Sequence, residues 1–188
     1  MPEHDLTDDV LAELVVDHRE VEELFVKLEG TGLTADERQE TIEQVVAELV
    51  RHAVAEEAWL YPAIRDRLDD GNALADRETA EHLEVERMLK ELEGTDPHDP
   101  ASRPVLENLM AAVRGHVEEE EKQLFPALRA VYTEAELKDL GDKVRTTKRA
   151  APTRPHPGAP RDQVSRRVMG PFVGLVDRTR DALSGRSV

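Results

Sequence analysis

The chain repeats itself at an offset of 64 residues, and the repeat carries histidines. Residues 17–22 (DHREVE) return as 81–86 (EHLEVE), and residues 52–65 (HAVAEEAWLYPAIR) return as 116–129 (HVEEEEKQLFPALR). In each copy one histidine precedes a second by 34 residues, and a glutamate follows the second at i+4. The first copy is His18, His52 and Glu56, and the second is His82, His116 and Glu120. Such a duplication restricts the fold to two like halves related by a pseudo-twofold axis. The other three histidines, His4, His98 and His156, fall outside the scheme.

Apolar residues recur every three or four positions, which specifies helices. The sequence predicts a first helix opening at Thr7 and ending near Gly30. Thr34 and Glu37 form a capping box for a second helix. A third runs from about 73 to 93, and a fourth follows the loop at 95–100. Thr133 and Glu136 cap a short further helix ending near 148. Pro62 and Pro126 stand ten residues after His52 and His116; Pro62 is expected to kink the second helix or end its regular part, and Pro126 to kink the fourth. Two hairpins with short connections make an all-α, antiparallel four-helix bundle. The expected organisation is a bundle domain at 1–148 and a Pro- and Arg-rich basic tail at 149–188, extended at first, with a short amphipathic helix at 171–183.

Residues 1–145 carry a net charge of −22 and residues 146–188 a net charge of +6. So acidic a body repels nucleic acid and attracts cations, so no nucleic-acid partner is expected. The absence of cysteine excludes disulfides, thiolate metal sites and cysteine nucleophiles. No apolar run is long enough for a membrane span, and residues 1–5 lack a signal-like segment. A cytoplasmic location is the expectation.

The histidines lie where a core residue is expected. On the first helix the inner positions run 11, 14, 18, 21, 25 and 28. On the second and fourth helices, His52 with Glu56 and His116 with Glu120 interrupt the apolar stripe. Residues four apart project from one side of a helix, so each pair can meet one metal or two adjacent metals. Burying carboxylates and imidazoles at one level costs several kcal/mol for each uncompensated charge, which divalent cations offset. Glu22 and Glu86 stand four residues after His18 and His82. They are candidate further ligands, acceptors that orient imidazoles, or solvated groups. Glu57 and Glu121 follow the ligand glutamates by one residue, about 100° around a regular helix, and are expected at the surface.

The ordered set H…HxxxE…H…HxxxE, followed by Leu60-Tyr61-Pro62 and Leu124-Phe125-Pro126, resembles the hemerythrin-like HHE cation-binding family over about residues 6–130. The resemblance implies a four-helix bundle around a non-haem di-iron centre. His18, His52, His82 and His116 would be terminal ligands, and Glu56 and Glu120 bridging carboxylates. Oxygen-carrying members place a fifth histidine where this chain has Glu86, and an aspartate one residue after the position of Glu120. A carboxylate adds negative charge and hard oxygen ligation, which favours ferric iron and shifts the expectation from oxygen transport towards redox chemistry or sensing.

Three functional expectations follow. The first is a di-iron protein that binds or reacts with O2, peroxide or NO, in sensing or detoxification. The second is non-catalytic metal handling, as iron storage or buffering or as a structural zinc or manganese site, with iron ranked ahead of either metal. The third is an interaction module in which metal state gates a contact made by the tail.

Overall fold

The computed structural model describes residues 8–93, Asp99 and residues 102–155. The Thr7 cap, the three remaining histidines and the segment at 171–183 lie outside these residues. Helix α1 spans Val10–Glu29. Asp9, not Thr7, caps it: its carboxylate accepts the Ala12 N–H at 2.9 Å, supplying an orphan donor of the first turn. Helix α2 spans Ala35–Ala55 and starts with the expected capping box, Thr34 with Glu37.

Neither proline ends its helix. A π-helical turn at Glu56–Leu60 joins α2 to α3 (Tyr61–Arg67), so the three form one rod. In the second half, α5 (Ser102–Glu119) passes through a π-turn at Glu120–Leu124 into α6 (Phe125–Val131). A proline inside a helix lacks the N–H and crowds the carbonyl four residues back. Widening the turn before it relieves the crowding. The i+5 bonds are present: Tyr61 N–H donates to Glu56 O, and Phe125 N–H to Glu120 O.

Helix α4 runs Gly71–Glu93, two residues earlier than the sequence predicts. Its first residue must be glycine, because a Cβ there would sit 2.2 Å from the Ile64 carbonyl oxygen. Helices α1 and α2 pack as one hairpin and α4 and α5 as the other. The result is the expected antiparallel four-helix bundle, with a fifth rod, α7 (Glu134–Ala150), laid against α1 and α2. Its capping box, Thr133 with Glu136, also forms as expected.

Two apolar clusters fill the bundle. One, towards the α1–α2 connection, gathers Phe25, Ile42, Val46, Leu89 and Leu109. The other, towards α3 and α6, gathers Leu11, Leu14, Leu60, Ile64 and Leu128. Each fully buried Leu, Ile or Phe contributes roughly 1.5–3 kcal/mol. The polar residues of the repeat lie between the two clusters along the helices. They are thus sealed at both ends by hydrocarbon, and water is kept from their charges.

Candidate metal centre

His18, His52, His82 and His116 are all buried, and Glu56 and Glu120 have no exposed surface. The bundle brings these six together between its two hairpins. Glu56 Oε2 lies 3.2 Å from His52 Nε2 and 3.3 Å from His82 Nε2. Glu120 faces His18 Nε2 at 3.4 Å and His116 Nε2 at 3.6 Å. Each glutamate therefore stands between one imidazole of each hairpin. Three overlapping donor groups result: His18, His52, Glu56 and Glu120; Glu56, His82 and His116; and Glu78, His116 and Glu120, each with donor atoms within 4.8 Å of one another.

These contacts are close without being hydrogen bonds. Both oxygens of Glu56, both of Glu120 and Nε2 of His18 have no hydrogen-bond partner although fully buried. Leaving such groups unsatisfied costs about 1–3 kcal/mol each, more when charged. The inward arrangement of acceptor oxygens and imidazole nitrogens is the donor set of a divalent transition metal, so the residues fit one. Glu56 and Glu120 each belong to two of these groups.

The outward nitrogen of every imidazole meets a carboxylate. His18 Nδ1 lies 2.8 Å from Glu121 Oε1, and His52 Nδ1 lies 3.2 Å from Asp17 Oδ2. His116 Nδ1 lies 3.1 Å from Glu78 Oε2 and 3.2 Å from Glu81 Oε2, and His82 Nδ1 lies 3.5 Å from Glu57 Oε1. A carboxylate at Nδ1 holds the proton there and leaves the Nε2 lone pair pointing inward, the tautomer a metal ligand needs.

Glu57 and Glu121 depart from the surface placement expected of them. Glu57 is buried and Glu121 half-buried, and neither is a surface group. The π-turn adds a residue per loop, so the side chain at i+5 from the histidine swings towards the bundle. A regular helix would carry it away. Sequence reading also passed over Asp17 and Glu81, although an acid directly precedes the first histidine of each copy. Glu78 was missed too. It is fully buried, belongs to the third donor group, and has an Arg77 Nη2 at 2.9 Å. Its position one turn before His82 on the inner face of α4 was the available signal.

Glu22 does not join the cluster. It faces a cleft between α1 and α5, where Arg114 donates to both of its oxygens at 2.8 and 2.9 Å and to Glu29 as well. Glu86 is buried on α4, one turn beyond His82, but belongs to none of the three donor groups.

The halves are not chemically equal. Tyr61 Oη lies 2.9 Å from His82 Nε2. Its counterpart Phe125 stacks on His18 instead, with ring centroids 5.9 Å apart and planes 12° apart. Buried Glu78 corresponds to Leu14 of the first copy.

Electrostatics follow from burial among acids. Burial opposes a charged His52, but Glu56 and Asp17 overcome it and raise its pKa to about 10. Burial opposes charge on His82 and His116 as well, and the surrounding carboxylates raise both. Burial by itself lifts the Glu56 carboxyl, yet His52 and His82 hold it well below the usual range. Burial, then the Glu56 carboxylate, keep the Tyr61 phenol protonated far above its ordinary value. A site that pulls protons onto its imidazoles is short of positive charge, which a divalent ion supplies in their place.

Above the imidazoles is a small cavity of about 30 Å³, lined by all four histidines and by Val21, Leu49, Val85 and Val113 among others. That is room for a water-sized guest. The outer cleft between α1 and α5, about 360 Å³, shares His18, Val21, Val113 and Val117 with it.

A family profile described as the hemerythrin HHE cation binding domain matches residues 9–128. An uncharacterised hemerythrin-like protein of Schizosaccharomyces pombe is 29% identical over 89% of this chain and 82% of its own length. A DNA nickase of a Nostoc species is 33% identical over 61% of this chain but only 32% of its own length. The crystal structure of a hemerythrin HHE cation-binding-domain protein from Mycobacterium kansasii superposes with a TM-score of 0.65. It is 25% identical and covers 75% of this chain and 85% of that one. No helix among the described residues is long and apolar enough to cross a membrane.

Proposed function

The chain belongs to the hemerythrin HHE cation-binding domain family, and on that premise we propose that it is a non-haem di-iron protein that binds or reacts with O2, peroxide or NO. The observation that carries this reading is the sharing of Glu56 and Glu120 among overlapping donor groups. A shared carboxylate is what two adjacent ions need between them. His18 and His52 would hold one ion with Glu56 and Glu120. His82 and His116 would hold the other with the same glutamates, and Glu78 stands ready at that side. Glu22, tied to Arg114, and Glu86 are left outside the ligand set in this reading.

Iron so held would supply redox chemistry and an open coordination position for a small ligand. The protein's own part is to position and to exclude. The carboxylates at the four Nδ1 atoms fix the imidazole tautomers. The apolar clusters on either side keep bulk water out, which strengthens every charge interaction within. The small cavity over the imidazoles limits the guest to one of diatomic or peroxide size, and Tyr61 places a hydroxyl beside His82. The acidic body suits a cation cargo and a cytoplasmic setting.

Anaerobic loading with ferrous iron, followed by O2, hydrogen peroxide and NO in turn, tests the proposal. New near-ultraviolet and visible bands on exposure, lost in His116→Ala, are expected. Full iron loading and an unchanged spectrum in His116→Ala would defeat it, and a preference for spectroscopically silent zinc would favour a structural or storage role.

A further inference from the structure

Helix α7 lies beyond the residues 9–128 matched by the family profile, yet it reaches the metal centre. Its docking is built in. Leu137 and Val144 are buried in the apolar cluster near α3 and α6. Gly141 lets its backbone approach the start of α1, where any Cβ would come within 3.0 Å of Asp8 and Val10 backbone atoms. Trp59, in the first π-turn, donates its indole N–H to Thr147 Oγ1 at 2.8 Å.

The next residue is Lys148, whose side chain is only 16% exposed. Its ammonium pairs with Asp17 Oδ1 and with Glu13 Oε1, the latter at 2.9 Å. The other Asp17 oxygen, Oδ2, is the one that faces His52 Nδ1. A continuous line therefore runs Lys148, Asp17, His52, Glu56. On the second hairpin His116 Nδ1 meets two carboxylates, Glu81 Oε2 at 3.2 Å and buried Glu78 Oε2 at 3.1 Å, and Arg77 holds Glu78 Oε1 at 2.9 Å, so the cation there comes from within the repeat. The Glu81 side chain is 38% exposed, and the cation beside it is Arg77 of its own helix at 3.9 Å.

We propose that Lys148 is a positioning residue through which α7 sets the metal affinity of the position formed by His18, His52, Glu56 and Glu120, an inference that rests on the two-metal reading. The physics is that of an outer-sphere partner. A carboxylate at Nδ1 fixes the orientation of a ligand imidazole and raises its basicity. Lys148 pins that carboxylate in one rotamer, facing His52 Nδ1. The His52 side is thereby held by a cation from outside the bundle, while on the His116 side the cation, Arg77, belongs to α4 itself. One duplicated site thus becomes two unlike ones by means of a helix that is not duplicated.

The test titrates Co(II) into the full chain and follows its visible d–d bands and the two dissociation constants. Wild type should bind two ions. Lys148→Met should weaken one of them by roughly 10–100-fold, the usual effect of losing an outer partner, and shift the bands of that ion alone. Lys148→Arg should stay near wild type. Lys138→Met, which removes an α7 surface contact to Asp8 with no path to Asp17, should leave both constants unchanged. Trp59 emission reports whether α7 stays docked in each variant. If it detaches in Lys148→Met, Asp17→Asn decides in its place, with the same single-ion weakening expected. Two ions bound with wild-type constants and bands in Lys148→Met with α7 docked, or in Asp17→Asn, would overturn this inference and spare the two-metal reading. A wild-type chain that takes up no divalent metal would overturn both.

Discussion

The two hairpins present the same histidines and glutamates in unlike surroundings. In the first, His18 stacks on Phe125, the position before it by one turn is Leu14, and Asp17 is locked by Lys148. In the second, His82 meets the Tyr61 hydroxyl, the corresponding turn carries buried Glu78, and Glu81 is partly solvated. Duplication sets where the donors stand. The residues that have diverged since set what each position does chemically. Extra carboxylate and phenol oxygens gather on the side of His82 and His116, so harder ligation and the higher-valent ion are expected there.

The largest effect expected is from removing a group common to both halves. Glu120→Ala should bring iron content from about two per chain to below about one, because a site that loses a shared carboxylate loses charge balance and geometry together. Elemental analysis after anaerobic loading measures it. Retention of both ions would break the idea that the halves share their glutamates.

Glu78→Leu makes the second half like the first. Glu78 lies 3.1 Å from His116 Nδ1 and 2.9 Å from Arg77, so the substitution removes one partner of a buried pair and should destabilise the metal-free chain by about 3 kcal/mol. The same variant should weaken only the ion on the His82 and His116 side. Denaturant unfolding without metal and titration with it read the two effects, and an unchanged or higher stability would show that the Glu78–His116 pair contributes nothing to the fold.

Protonation gives a third comparison. The pKa of His52 rises in the folded chain from 6.5 to about 10. A raised value contributes stability that is fully present below the unfolded pKa and is lost as pH rises through the folded one. The metal-free melting temperature should therefore fall between pH 6.5 and about 10, while iron affinity rises across that window as protons leave the imidazoles. Thermal scans at a series of pH values check this. A melting temperature that stays flat in that range would mean that the carboxylates do not charge the imidazoles.

The smallest effect is Tyr61→Phe, which recreates the Phe125 environment. Loss of one hydrogen bond should cost about 1 kcal/mol and alter the spectrum of the ion nearest His82. An unchanged spectrum would remove Tyr61 from the list of residues that distinguish the halves.

Much of this was legible in the sequence because it depends on local rules. His18 falls in a core slot, Thr34 with Glu37 makes a capping box, and residues four apart share a face. What escaped depends on departures from the regular helix or on contacts across the fold. Glu57 and Glu121 were sent outward by a rotation of about 100° per residue, which the π-turns before Pro62 and Pro126 do not obey. Glu22 sits at helical spacing from His18, but Arg114, 92 residues away, claims it. Lys148 stands beyond the repeat and has no counterpart in it, so no comparison of the two copies could reveal it.

The central claim is that one chain holds two ions in unlike positions. A Mössbauer spectrum of the chain loaded anaerobically with enriched ferrous iron tests it most directly. The account predicts two quadrupole doublets of equal area and different splitting, at an iron content of about two per chain. A single doublet, or an iron content near one, would contradict it.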